Sequence, residues 1–254
     1  MQTLQIHKEV VNVSEKRDNR VVVGVMMGVI ILAFVGINIF SSIPLLPIFV
    51  SFLAVLVVAE LASMWKLNND IALKISIIIQ FVIMLCACIA IWIIERTFDD
   101  WALIFLATTL AVVCQNVSSY YVGKYLLPRA SGLSERFLKF HPFKYSPGKR
   151  LGVAIFCSGI SMVIAVWFWL AGHRLPALSA AVGTCFAMPG DWLESRLKRL
   201  AGIKDSGELL RDGNSMLAKA EMMIASHGGF LDRFDSLSLC FALMLPIIWR
   251  WLKW

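Results

Sequence analysis

The stretch "VVVGVMMGVIILAFVGINIF" fills positions Val21 to Phe40 without one charged side chain. Twenty helical residues rising 1.5 Å each cover about 30 Å, the thickness of a bilayer's hydrocarbon core. The segment before it, "MQTLQIHKEVVNVSEKRDNR", is polar. No small-x-small cleavage pattern follows, so the expectation is a retained first membrane helix and not a removed signal peptide. The same pattern recurs along the chain. Apolar runs at 43–64, 71–94, 101–122, 151–170, 175–189 and 236–252 bring the expected spans to seven. The sixth is short: fifteen helical residues reach only about 22 Å. It either begins deeper in the protein or continues as a helix through "GDWLESRLKR" (190–199).

Composition agrees. Of 254 residues, 59% are hydrophobic and 16% charged, whereas about a quarter of a soluble domain is charged. Mean hydropathy is +0.74. The expected fold class is all-α, a polytopic integral membrane protein with about seven transmembrane helices. Residues 1–20 form a cytoplasmic segment and 21–254 a single membrane domain. The six cysteines all lie in apolar runs with neither Cys-x-x-Cys spacing nor a histidine pattern nearby, and read as small buried hydrophobes.

The lysines and arginines orient the chain. With the N-terminus inside, nineteen fall on inner segments and four, Arg96, Arg174, Arg250 and Lys253, on outer ones. Such a bias is the signature of a cytoplasmic N-terminus. Seven spans then put the C-terminus outside, against which Arg250 and Lys253 weigh slightly. Most of the nine tryptophans fall near expected span ends, where an amphipathic indole prefers to sit.

Two inner loops, about 123–150 and 190–235, carry the polar chemistry. The second mixes eight acids with seven bases, which an ordinary solvated loop would also show. Its spacing says more. Asp191 follows an apolar run directly, while Asp232 and Asp235 sit just before the last span. Carboxylates at both ends of one loop can face each other at the bilayer surface. Hard divalent cations such as Mg²⁺ take oxygen ligands of this kind and share them with substrate phosphates. Lys198, Arg199 and Lys204 supply positive charge suited to phosphate oxygens. The backbone of His227-Gly228-Gly229 can approach a phosphate closely. The combination points to phosphoryl or nucleotidyl transfer, in which positioning and charge neutralisation carry most of the catalysis.

These residues resemble the phosphatidate cytidylyltransferases, also called CDP-diacylglycerol synthases. Their C-terminal motif is similar to S-x-x-K-R-x4-K-D-x-G followed by H-G-G-x-x-D-R-x-D. Here it stands as Ser195, Lys198, Arg199, Lys204, Asp205 and Gly207, then His227, Gly228, Gly229, Asp232, Arg233 and Asp235, within 190–236. "GDWLES" also matches the family's G-D-x-x-E-S. Upstream the chain departs. "QNVSSYYVGK" stands where the family has A-D-T-G-A-Y-x-x-G-R, so Asn116 replaces an aspartate, with Tyr120, Gly123 and Lys124 in register. "SPGKRLGV" keeps Ser146, Pro147 and Lys149 of S-P-x-K-T-W-E-G and loses Thr-Trp-Glu. A longer connection precedes His227, and its 211–226 part has a helical apolar period. It reads either as an amphipathic surface helix or as a solvated loop.

The resemblance implies a membrane nucleotidyltransferase of phospholipid biosynthesis, joining CTP and phosphatidic acid to CDP-diacylglycerol and pyrophosphate. The catalytic residues it implies are Asp191, Asp232, Asp205, Lys198 and Arg199. The metal ligands are Asp191, Asp232 and Asp235, for Mg²⁺ with a second cation as an option. Ser146, Lys149, Lys204, His227, Gly228, Gly229, Arg233 and Asn116 would bind substrate. Expected partners are CTP, phosphatidic acid, membrane lipid and, as one option, a second copy of the chain; nucleic acid is not among them. The expected location is a bacterial inner membrane. An alternative is a divergent or inactive paralogue that binds lipid or nucleotide, or uses another lipid phosphate. Asn116 is a weaker metal ligand than a carboxylate, and its other reading is a helix-packing amide. A transporter would need ionisable residues at mid-span, which the runs lack apart from Glu60. Glu60 lies near a span end, where it marks function, snorkels to water or pairs with Lys74.

Overall fold

The computed structural model describes residues 29, 33, 35–39, 44–140, 149–203 and 231–252, excluding the side chains of Asp232 and Arg233. Every regular element among them is helical. The helices are α1 (Leu45–Leu67), α2 (Ile71–Thr97), α3 (Trp101–Tyr121), α4 (Gly132–Lys139), α5 (Leu151–Leu170), α6 (Arg174–Leu200) and α7 (Leu231–Trp251). A π-helical turn, Val122–Leu126, and a short 3₁₀ turn, Leu127–Arg129, extend α3.

Among the described residues, five helices are long and apolar enough to cross a membrane: α1, α2, α3 with its extension, α5 and the Phe234–Trp251 part of α7. The chain is a polytopic membrane protein. Two of the seven expected spans fall outside this set. The first lies mainly outside the described residues, although 35–39 are helical. The sixth is the apolar half of α6, which runs on through "GDWLESRLKR" as one 27-residue helix. At 1.5 Å per residue it is about 40 Å long, enough to cross the hydrocarbon and project beyond it.

Local chemistry sets where these helices stop. Asp70 caps α2, its carboxylate accepting from the Ala72 amide at 2.9 Å. Both α5 and α6 end in a left-handed glycine. At α6, Gly202 takes φ +74°; its N–H donates to the Arg199 carbonyl at 3.2 Å and that of Ile203 to Lys198 at 3.0 Å. Gly172, φ +88°, closes α5 through the same pair of bonds, to Trp169 and Phe168. A side chain at either position would meet the left-handed penalty that glycine avoids.

Helix α6 is the hub, packing against α3, α5 and α7, while α2 packs against α7. It runs parallel to α3: Ser179 Oγ donates to the Ile104 carbonyl at 3.2 Å, and Gly183 faces Thr108. It runs antiparallel to α7: Cys240 Sγ lies 3.8 Å from the Gly183 carbonyl, and Gly190 faces Asp235. Core clusters join Ile91, Ile104, Phe105 and Phe241 at one level, and Leu61, Leu73, Leu197 and Leu231 at another. All six cysteines are free. The outward faces remain apolar: Val55, Ile71, Ile78, Leu110, Val163 and Val166 are exposed. Water would penalise so much exposed hydrocarbon, and lipid does not.

Two expectations change. Asp235 does not precede the last span, Phe234–Trp251, but lies within it, and Asp232 stands two residues ahead of that span on the same helix, α7, which begins at Leu231. Hydropathy marks where charges end, but a helix starts where its first amides find acceptors. Glu60 supplies one. Its fully buried carboxylate accepts the Leu231 amide at 3.0 Å, so it neither snorkels nor pairs with Lys74. The Lys74 ammonium instead donates to Asn69 Oδ1 at 3.0 Å and lies 5.4 Å from the Trp65 ring. An anion is favoured at the positive end of a helix, which makes Glu60 a tertiary cap for α7.

Candidate functional site

Where α6 crosses α7, the two backbones touch. A Cβ on Gly190 would fall 2.8 Å from the Asp235 carbonyl oxygen and from Ser236 Cα. Only glycine permits that approach. Pro189, just before it, has no amide to donate within α6. Asp191 therefore emerges beside Asp235, although 44 positions separate them in the chain.

Ligand oxygens of Asp191, Glu194 and Asp235 lie within 4.8 Å of one another. Glu194 follows Asp191 by three residues and so shares its helix face. Asp235 is 6% exposed, and the Glu194 side chain 2%. Asp191 is more open, its side chain 34% exposed. Two of the acids are thus walled in and one faces outward.

Two lysines answer them. The Lys149 ammonium, just before α5, lies 2.5 Å from Asp191 Oδ1. It also donates to the Asp191 carbonyl at 2.7 Å and to Ser195 Oγ at 2.5 Å. Lys149 thereby ties the segment ahead of α5 to the acidic turn of α6. Lys198 pairs with Glu194 at 2.6 Å, one turn along the helix. Among the described residues, two ammoniums stand against these three carboxylates.

That donor set suits a hard divalent cation. Mg²⁺ takes oxygen ligands at about 2.1 Å, so the three carboxylates, whose oxygens lie within 4.8 Å of one another, would draw closer to hold it. Asp191 would hold the open edge, where waters or phosphate oxygens complete the shell.

Asp191, Ser195, Lys198, Lys149 and Asp235 of the sequence motif therefore meet in one place. Arg199 does not join them: it is exposed at the end of α6, with its guanidinium 3.4 Å from the Ile203 carbonyl. Asn116 is exposed on α3, level with Asp191 by the register that sets Gly183 beside Thr108, and makes no hydrogen bond to the cluster among the described residues. Asp205, Lys204, Ser146, His227, Gly228 and Gly229 lie outside the described residues, as does the 211–226 insertion. The Asp232 and Arg233 backbones belong to the first turn of α7.

Sequence reasoning passed over Glu194 as a ligand. Its signal was present in "GDWLES", where the glutamate stands one turn from the aspartate. The i, i+3 helical spacing within the motif is what sets it beside Asp191.

The model of the cytidylyltransferase family matches residues 3–251. The chain belongs to the cytidylyltransferase family. Among the relatives that bear the name phosphatidate cytidylyltransferase are three from different bacteria. The Helicobacter pylori strain J99 protein is 30% identical over 162 residues, 62% of this chain and 52% of that protein. The Bacillus subtilis protein is 29% identical over 168 residues, 64% of this chain and 52% of that one. The Synechocystis protein is 33% identical over 137 residues, covering 52% and 39% respectively. The chain spans about half the length of the curated relatives it matches or less. No solved structure matches it significantly.

Proposed function

We propose that this chain is a membrane-embedded nucleotidyltransferase that converts CTP and phosphatidic acid to CDP-diacylglycerol and pyrophosphate. The observation that carries the reading is the meeting of Asp191, Glu194 and Asp235 with Lys149 and Lys198 at one end of an apolar helix bundle. The family match and the names of the relatives support it.

In the reaction a phosphate oxygen of the lipid attacks the α-phosphorus of CTP. A new P–O bond forms, the bond to the β-phosphate oxygen breaks, and pyrophosphate leaves with the electron pair. No covalent enzyme intermediate is needed. Two polyanions must approach each other, so the site's first task is to neutralise charge. Asp191, Glu194 and Asp235 would hold Mg²⁺, which when bound offsets the charge of the phosphate oxygens. Lys149 fixes the orientation of Asp191 and Ser195 before substrate arrives. Lys198 holds Glu194 and is close enough to the cluster to meet a phosphate at its edge. Catalysis by such a site rests on prior organisation: the lysines and the helix crossing set the geometry during folding.

The site would face the cytoplasm in a bacterial inner membrane, with the N-terminus on the same side. CTP then arrives from solution and the lipid arrives laterally. In detergent, with labelled CTP, Mg²⁺ and phosphatidic acid, wild type should form CDP-diacylglycerol. Asp235→Asn should lower kcat/KM by roughly a hundredfold or more, the size of losing one preorganised electrostatic group. An inactive wild type, or an Asp235→Asn enzyme of normal rate, overturns the reading.

A further inference from the structure

The exposed apolar surface of the bundle does not stop where the membrane helices end. Helix α4, which follows α3 and precedes α5, stands at the level of the acidic cluster. The Leu151 amide donates to the Phe140 carbonyl at its end, at 2.9 Å, and Lys149, two residues before Leu151, meets Asp191. Eight residues are too few for a helix to hold by itself, so packing fixes it. Leu138 is buried among Val122, Leu127, Val153 and Cys157. Gly152 comes so close that a Cβ there would overlap the Phe137 carbonyl.

Held in this way, α4 shows three faces. Leu138 points into the bundle. About 100° round the helix from it, Leu133, Phe137 and the following Phe140 form a stripe at i, i+4 and i+7. They are 85%, 46% and 55% exposed. Glu135 and Lys139 pair with each other on the remaining side. Arg136 borders the apolar stripe, is exposed and has no ion-pair partner among the described residues. Arg129, also exposed, donates from its guanidinium to the Tyr125 carbonyl at 3.2 Å and keeps its other N–H groups. From Lys124 to Phe140 the chain carries four basic side chains and one acid.

Three large apolar side chains in one stripe are costly in water, and a stripe bordered by arginines suits a helix lying in the plane of a bilayer's headgroup region. The stripe also continues onto the lipid-facing surface of α5, where Ile155 and Phe156, one turn beyond Gly152, are exposed. A zwitterionic headgroup would cover the apolar side chains, but the unpaired basic charge favours an anionic one. We propose that α4 is an interfacial helix: Leu133, Phe137 and Phe140 enter the acyl boundary, and Arg129 and Arg136 bind the phosphate groups of anionic lipids in the leaflet beside the acidic cluster. Anionic diacyl lipids are thereby gathered next to Lys149. The proposal stands apart from the transfer reading, under which phosphatidic acid is one such lipid.

Two measurements test it on the full-length chain in nanodiscs of phosphatidylcholine and phosphatidylglycerol, neither of them a substrate of the proposed transfer. In the first, nitroxides are placed singly at Leu133, Phe137, Phe140, Glu135 and Lys139 in a cysteine-free chain. The first three should be relaxed by oxygen and shielded from a water-soluble nickel complex, and the last two the reverse. Nickel access along the stripe overturns the proposal, and so does shielding from both reagents, which would mean that another segment of the chain covers it. In the second, the otherwise unaltered protein is photolysed with phosphatidylglycerol carrying a diazirine close to its headgroup. Adducts on residues 129–140 should exceed those from the matching phosphatidylcholine probe. The excess should fall roughly fivefold in Arg136→Gln, about what one basic residue contributes at an anionic surface, and further when Arg129→Gln is added. Lys66→Gln removes an exposed charge at the same end of the bundle and should leave the excess unchanged. Equal labelling by the two lipids, or an equal loss in Lys66→Gln, overturns headgroup binding by α4.

Discussion

Glu194 is buried, negatively charged and paired with Lys198 at 2.6 Å, while its ligand oxygen stands with those of Asp191 and Asp235. Either role, ion pair or ligand, would account for its burial, and the two separate under substitution. Glu194→Gln keeps the shape and loses the charge. As a ligand, it should raise the Mg²⁺ concentration for half-maximal activity by at least about tenfold, the effect typical of disturbing a metal site's shell. A lowered melting temperature with an unshifted Mg²⁺ curve would leave it only the ion pair with Lys198. Asn116 stands where the motif has a carboxylate; it is exposed on α3, and the register that sets Gly183 beside Thr108 puts it level with Asp191.

Two contacts between helices create the site, and both lie at positions with little chemistry of their own. One is Gly190, where α6 and α7 touch. In Gly190→Ala a methyl group would sit 2.8 Å from backbone atoms of α7, and backbone cannot rotate away as a side chain can. The helices must separate, and Asp235 moves with α7. Overpacking of this kind costs about 1–3 kcal/mol. A displacement approaching 1 Å at reacting groups costs on the order of a hundredfold in rate. The variant should therefore fold in membranes, melt several degrees lower and lose most of its activity; near-normal kcat would show that the crossing does not set the geometry. The other contact is Glu60, whose carboxylate caps α7 from α1. It starts α7 five residues before the apolar run, and so places Asp232 and Asp235 on a helix.

For the molecule as a whole, the proposed transfer requires the polar end of the bundle to face the compartment that holds nucleotide. Nineteen inner lysines and arginines against four outer ones predict that orientation. A single cysteine introduced at the exposed Arg199 into a cysteine-free chain should react with a membrane-impermeant maleimide only in inverted vesicles. A cysteine at the exposed Trp169, near the opposite end of α5, should react in intact cells. The converse pattern would invert the topology and remove the nucleotide's access to the cluster.

The sequence alone determined the class of molecule. Uncharged runs of about twenty residues have few stable destinations other than lipid, and helices are what such runs form there, because only local hydrogen bonding satisfies the backbone without water. The boundaries of α2, α3 and α5 followed closely, since Asp70 and the flanking charges mark them chemically. The motif also named Asp191, Ser195, Lys198, Lys149 and Asp235 before any coordinates. Tertiary structure alone decided which acids stand together, that Glu194 is one of them, and that Glu60 serves a distant helix as its cap. Those outcomes depend on which helix faces approach and how closely. That is set by packing at positions such as Gly190, and hydropathy and motif spacing carry no record of contacts between segments remote in the chain.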